Sequence, residues 1–137
     1  MPRYALIDTG AIFALANRKD KHHAAAQKIF REWTTQRNGW IVLDWVFIES
    51  MTLLKARLDA TVALRFGQQL RRNPLYRWVW IQPDDELEIW NVFQKYSDKE
   101  WSYTDCGLFV MAQRLRAAEV FTFDEHFKQM PGIVRLP

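Results

Sequence analysis

Short apolar runs alternate along the chain with longer amphipathic stretches, and polar breaks separate them. Tyr4–Ile7 is apolar and ends at Asp8-Thr9-Gly10, the pattern of a buried strand. Ala11–Asn17, rich in Ala, Leu and Phe, reads as a helix. A second helix, from about His22 to Gln36, follows Asp20 and sets Ala26, Ile29, Phe30 and Trp33 at helical spacing. Asn38-Gly39 is a turn or helix-stop signal, and Trp40–Leu43 is a second apolar strand. Asp44 is placed to cap a helix over Trp45–Leu58. Val62–Arg72 predicts a further helix, stopped by Asn73-Pro74, and Arg77–Ile81 predicts a third strand. Pro83 opens a helix to about Tyr96, with Asp84, Asp85 and Glu86 in its first turn, where the helix dipole favours them. Ser102 or Thr104 caps a helix to about Ala117. Val120–Phe123 is a fourth strand ending at Asp124, and Ile133–Leu136 is a candidate short fifth.

No hairpin signal joins these strands; helices do. The pattern therefore predicts an α/β fold of three layers, a mostly parallel sheet of four to five strands covered by helices on both faces. The 137 residues suit a single domain over 1–137, and 49% hydrophobic residues are enough to form a core. The single cysteine, Cys106, excludes an internal disulfide and a thiolate metal site, and it fits a reducing compartment such as the cytoplasm. The apolar opening is interrupted by Asp8 and is too short to span a bilayer, so a buried strand is expected there rather than a targeting or membrane segment. The net charge of +3 is compatible with a polyanionic partner but does not single one out.

Four acids change the picture. Asp8 is the only charged residue between Arg3 and Arg18, and it follows a buried strand; Asp124 also follows one. Ligand sites in parallel α/β sheets gather at the carboxyl ends of the strands, so both acids are expected on one sheet edge. Glu49 is the only charged residue in Trp45–Leu54, within two turns of the second strand, and a charge on so apolar a helix requires a partner. Asp105 falls in the first turn of its helix. Carboxylates gathered in this way repel one another, and a divalent cation removes that cost. Oxygen donors alone select Mg²⁺ or Mn²⁺ over zinc. Each acid also has a purely structural use: Asp8 can cap the helix after it, Asp124 can cap a short turn, and Asp105 completes a capping box with Ser102.

The same residues resemble the PIN domain family, particularly its short VapC-type toxins. Leu6-Ile7-Asp8-Thr9-Gly10-Ala11 is similar to the family's first motif. The Asp20, His22 and Ala24 region resembles the pattern commonly found after that motif, and Phe47-Ile48-Glu49-Ser50 sits where the second acid is carried. Asp98–Cys106 and Thr122–Phe127 resemble the third and fourth motifs. Cys106 and Gly107 stand where the family has other small residues, and the stretch from Arg65 to Trp80 carries no family motif. The resemblance implies an α/β/α sandwich and Mg²⁺- or Mn²⁺-dependent endonucleolytic cleavage of RNA. It also implies a homodimer and a small antitoxin partner that inserts a basic side chain into the acidic pocket.

On this reading Asp8 and Asp105 are the principal metal ligands, and Glu49 and Asp124 complete the pocket directly or through water. The cation activates a water for in-line attack on a phosphodiester and offsets charge on the phosphoryl oxygens. Thr9 and Thr104 are candidates to hydrogen-bond a phosphate, a water or a ligand carboxylate, with capping as the alternative use of each. His22, His23 and His126 are read as surface or packing residues, Cys106 as a packing residue, and Trp33, Trp78, Trp80 and Trp90 as core or interface. Trp45 and Trp101 lie nearest the acids in sequence and are candidate base-stacking residues. The basic run Arg65, Arg71, Arg72 and Arg77 reads as a solvated helix end rather than an RNA track. The competing readings are a non-catalytic RNA- or protein-binding module of the same fold, a phospho-accepting domain using Asp84-Asp85, and a DNA flap nuclease.

Overall fold

The computed structural model describes residues 2–137. Its core is a five-stranded, all-parallel sheet in the order β3-β2-β1-β4-β5. The strands are β1 (Tyr4–Ile7), β2 (Gly39–Leu43), β3 (Tyr76–Val79), β4 (Glu119–Phe121) and β5 (Val134–Leu136). Two helices fill each of the first three crossovers: α1 (Thr9–Ala16) and α2 (His23–Thr35), α3 (Asp44–Arg57) and α4 (Ala60–Arg72), α5 (Pro83–Lys95) and α6 (Tyr103–Arg114). A 3₁₀ turn, Glu125–Gln129, leads to β5. Every residue of β2 is buried, so both faces of the sheet are covered, as parallel strands require. Trp40 of β2 and Phe121 of β4 are completely buried, with ring centroids 5.1 Å apart. They anchor a core that also takes in Leu6, Ile7, Leu43 and Leu108.

The chain adds β2 and β3 to one side of β1, then returns across it to add β4 and β5 to the other. The reversal opens a crevice between the carboxyl ends of β1 and β4, the place where ligands bind in open parallel sheets.

Several boundaries differ from the sequence expectation, among them β3, which runs Tyr76–Val79 rather than Arg77–Ile81. Asp44 is the first residue of α3 rather than its cap, and its Oδ1 accepts a hydrogen bond from Ile81 N at 2.8 Å, tying the helix to the exit of β3. α4 begins at Ala60 because Asp59 caps it, accepting from Val62 N at 2.8 Å. β4 ends at Phe121, not Phe123. Thr122 and Phe123 lie beyond the strand, although Thr122 N still donates to Leu136 O of β5 at 3.1 Å, and the Thr122 hydroxyl is engaged by Asp8 and Asp124.

Candidate metal centre

Asp8 leaves β1 with its N–H still donated to Phe121 O, 3.0 Å away on β4. This bond fixes its backbone across the crevice. Its extended φ and ψ (−89° and 159°) make it the N-cap of α1, and Oδ1 accepts from Thr9 N at 2.8 Å. Its other oxygen, Oδ2, accepts from the Thr122 hydroxyl at 2.8 Å. Asp105 closes the capping box at the start of α6: its Oδ2 accepts from Ser102 N at 2.9 Å, and its N–H donates to Ser102 Oγ at 3.0 Å. Asp124 caps the 3₁₀ turn through Oδ1, which accepts from His126 N at 2.9 Å, and its own N–H donates to Thr122 Oγ1 at 3.0 Å. Three helical N-termini therefore converge, two capped by an acid and the third, that of α6, carrying Asp105 in its first turn. Their orphan N–H groups and dipoles favour the anions gathered there.

The structural and chemical uses of these acids are compatible. Asp105 and Asp124 each cap with one oxygen, and among the described residues the other has no hydrogen-bond donor. Burial pushes the Asp8 carboxyl up from 3.8 to about 7, assisted by the charges of Asp105 and Asp124 and opposed by the Thr122 and Thr9 hydrogen bonds. Burial, with the charge of Asp124, likewise raises Asp105, against the Ser102 hydrogen bonds and the attraction of His126.

Glu49 joins these three in lining a cleft of about 510 Å³, and Asp20 and Glu100 extend the acidic lining. Glu49 is solvent-exposed, which corrects the expectation of a charge on an apolar face. Its Oε2 accepts from the Thr104 hydroxyl at 3.2 Å. Thr104 thus orients a carboxylate, and Ser102, not Thr104, caps α6. Thr9 Oγ1 is buried without a hydrogen-bond partner at the edge of the same cleft.

His126 corrects the sequence reading. It lines the cleft, with Nδ1 3.1 Å from Asp124 Oδ1 and 3.8 Å from Asp105 Oδ2, and Nε2 3.8 Å from Glu100 Oε2. Nδ1 is buried and makes no hydrogen bond among the described residues. One donor atom each from Asp105, Asp124 and His126 lie within 4.8 Å of one another. Mutually repelling carboxylates, a raised proton affinity at Asp8 and an unsatisfied imidazole nitrogen make a donor set that fits a divalent cation. His126 was the residue missed. Its only sequence signal is its place two residues after Asp124, which lets the capping turn fold the ring back onto the acid. His22 also lines the cleft, whereas His23 is held away from it, its Nδ1 2.7 Å from Ala14 O.

Other candidates are structural. Trp101 is buried, packed at 4.5 Å against Tyr96 with the rings tilted by 33°, and donates Nε1–H to Gln129 Oε1 at 2.9 Å, so it is no base platform. Trp45 packs on Tyr103 at 5.4 Å. Trp80 and Trp90 are exposed, not core. Asp85 closes a capping box with Gln82 and pairs with Arg114 at 2.7 Å, which accounts for the Asp84-Asp85 pair without phosphate chemistry. Cys106 is buried and its thiol is pushed up to about 11, as suits a packing residue.

Comparison with known proteins agrees with this fold. A VapC ribonuclease from Archaeoglobus fulgidus is 28% identical over 133 residues, covering 96% of this chain and 83% of that protein. The solved structure of Mycobacterium tuberculosis VapC20, a toxin that cleaves the sarcin-ricin loop, superposes with a TM-score of 0.84 at 21% identity, over 93% of this chain and 95% of that one. VapBC2 from Rickettsia felis, solved with a DNA fragment from its promoter, gives 0.70 at 12% identity, over 96% of each chain. Residues 5–133 match the PIN domain, and the chain belongs to that family.

Proposed function

We propose that this chain is a metal-dependent endoribonuclease, the toxin of a toxin–antitoxin pair, and that Asp8, Asp105 and Asp124 hold its divalent cation, Mg²⁺ or Mn²⁺. The observation that carries this reading is the convergence of three capped carboxylates at the crevice between β1 and β4, two of them with raised proton affinity. The VapC ribonuclease relative supplies the substrate class. When bound, the cation lowers the pKa of water and offsets phosphoryl charge.

The residues do the rest. Thr9 N and Thr122 Oγ1 fix both oxygens of Asp8. Ser102 fixes Asp105. Thr122 aligns Asp124 with Asp8 by donating to one and accepting from the other, so the two strand ends act as one unit. Glu49, turned by Thr104 at the open side of the cleft, orients water arriving at the scissile phosphate. His126, whose Nδ1 lies 3.1 Å from Asp124 and 3.8 Å from Asp105, offers a further donor to the same cation. A small antitoxin is the partner, and the acidic cleft suits a basic side chain from it. Among the described residues, no helix is long and apolar enough to cross a membrane.

The test is cleavage of a mixed structured RNA pool by purified protein with Mg²⁺ or Mn²⁺, with EDTA, and with Asp8→Asn. Cleavage that requires both metal and Asp8 supports the assignment. Asp8→Asn protein as active as wild type would sink it. Metal-independent RNA binding without turnover would point instead to a binding module.

A further inference from the structure

The metal chemistry at the acids makes no use of His22. This residue precedes α2, its N–H donates to Asp20 Oδ1 at 2.8 Å, and its ring stacks on Phe123 with centroids 4.4 Å apart and planes only 7° from parallel. Both rings are half-buried, and both line the cleft that contains Asp8, Asp105 and Asp124. Phe123 is itself backed by Phe121 of the core, with centroids 6.0 Å apart, so the stack rests on a rigid base. It immediately precedes Asp124 in the chain, which places it one residue from the acid cluster. Unlike its neighbour His23, the His22 ring makes no hydrogen bond among the described residues. An aromatic ring held flat and only half-covered, beside a site that handles phosphate, has the chemistry of a nucleobase platform. Aromatic faces stack bases without needing a particular sequence.

We propose that the His22–Phe123 stack receives one unpaired nucleobase beside the phosphate held at the acids, so that the cleft selects a splayed, single-stranded nucleotide. The proposal rests on the ribonuclease reading and adds what part of the RNA is gripped. A base inside a duplex is already stacked on its neighbours and cannot reach the platform; a base in a loop or bulge can. Phosphate and cation fix the backbone, and the ring fixes the base.

The test uses short unpaired RNAs carrying a single abasic position, moved stepwise along the strand, and the full chain as wild type, His22→Ala and His22→Phe. Cleavage gives KM and kcat. Fluorescence of 2-aminopurine at each position reports stacking without turnover when read with Asp8→Asn protein, with and without His22→Ala. The expected result is a loss of roughly ten-fold in kcat/KM, mostly in KM, for His22→Ala. One abasic position should cost wild type the same factor and cost His22→Ala almost nothing further, because the two changes remove one contact. His22→Phe, which keeps a flat ring, should retain most of the activity. At that same position 2-aminopurine should be quenched when the imidazole is present and not when His22→Ala has removed it. Additive losses from His22→Ala and the abasic site would overturn the proposal, as would equal quenching with and without the imidazole. Wild type that cleaves RNA while His22→Ala is unaffected would overturn the platform and leave the nuclease reading standing. Wild type that neither cleaves nor binds RNA would overturn both.

Discussion

Thr122 is completely buried and uses one hydroxyl twice, donating to Asp8 Oδ2 and accepting from Asp124 N. Replacing it with Val keeps the shape and leaves both partners unsatisfied. A buried polar group without its partner costs about 1–3 kcal/mol, so Thr122→Val should lower stability in urea by a comparable amount and reduce cleavage, while Thr122→Ser should be near wild type. Equilibrium unfolding of the three proteins decides this; equal midpoints for Val and wild type would show that the hydroxyl is not holding the acids. Sequence alone offered no reason to single out Thr122. Its role depends on Asp8, distant in the chain but adjacent across the β1–β4 crevice. Asp8 and Glu49 were legible because a charge in an otherwise apolar stretch is expensive unless it is used, Asp124 from its place after a strand and Asp105 from its place in the first turn of a helix.

At the scale of elements, the capping box of α6 holds Asp105 in place through two reciprocal hydrogen bonds. Ser102→Ala removes one and frees the other, and losing an N-cap typically costs about 1 kcal/mol. The expected outcome is a small drop in thermal midpoint with a disproportionate fall in activity, read by calorimetry beside a cleavage assay; activity that tracks stability alone would argue against a positioning role. Gly39, at the start of β2, is a separate case. A Cβ there would lie 2.7 Å from a Tyr4 ring carbon and 3.0 Å from Leu75 O, the carbonyl that accepts from Trp40 N. One neighbour is backbone on the way into β3, so Gly39→Ala should destabilise by about 1–3 kcal/mol, measurable as a shift in urea midpoint with unchanged slope. The sequence marked Gly39 only as a turn. The close approach of three chain segments that excludes a methyl group is a tertiary fact. So is the end of β4 at Phe121: Thr122 has good strand propensity and still donates its N–H to Leu136 O of β5, while its hydroxyl serves the acids.

For the whole molecule, the acid cluster ties stability to pH and to cations. The Asp8 carboxyl titrates at about 7 in the folded protein against an ordinary 3.8. Between those values the folded chain holds a proton that the unfolded chain has released. Metal-free stability must therefore fall as pH rises from about 4 through 7, by up to ~4 kcal/mol at ~1.4 kcal/mol per pH unit. Asp105 acts in the same direction. A divalent cation should restore stability most strongly above pH 7, where the carboxylates are ionised, and least near pH 5. Urea midpoints at pH 5 and 8, in EDTA and in Mg²⁺ or Mn²⁺, test this. Asp8→Asn should flatten the pH slope of the EDTA series, and a slope unchanged by that substitution would place the buried charge elsewhere.

Local pattern and composition determined a great deal here. Apolar runs of strand length separated by amphipathic helices specify a parallel α/β sheet, because burying both faces of such strands leaves few other architectures. Isolated charges in apolar stretches and acids at strand and helix ends singled out the candidate acids, and the motif order pointed to the family. The tertiary structure alone decided how those acids work together. The return of the chain across β1 brings β4 beside it, and with it Thr122, Asp124 and His126 against Asp8. It turns Glu49 to solvent and to Thr104, and it lays His22 on Phe123. Periodicity records which face of an element is buried, not which residue of a remote element it meets. A histidine or threonine carries no apolar periodicity, so its partner appears only when the crossovers have closed.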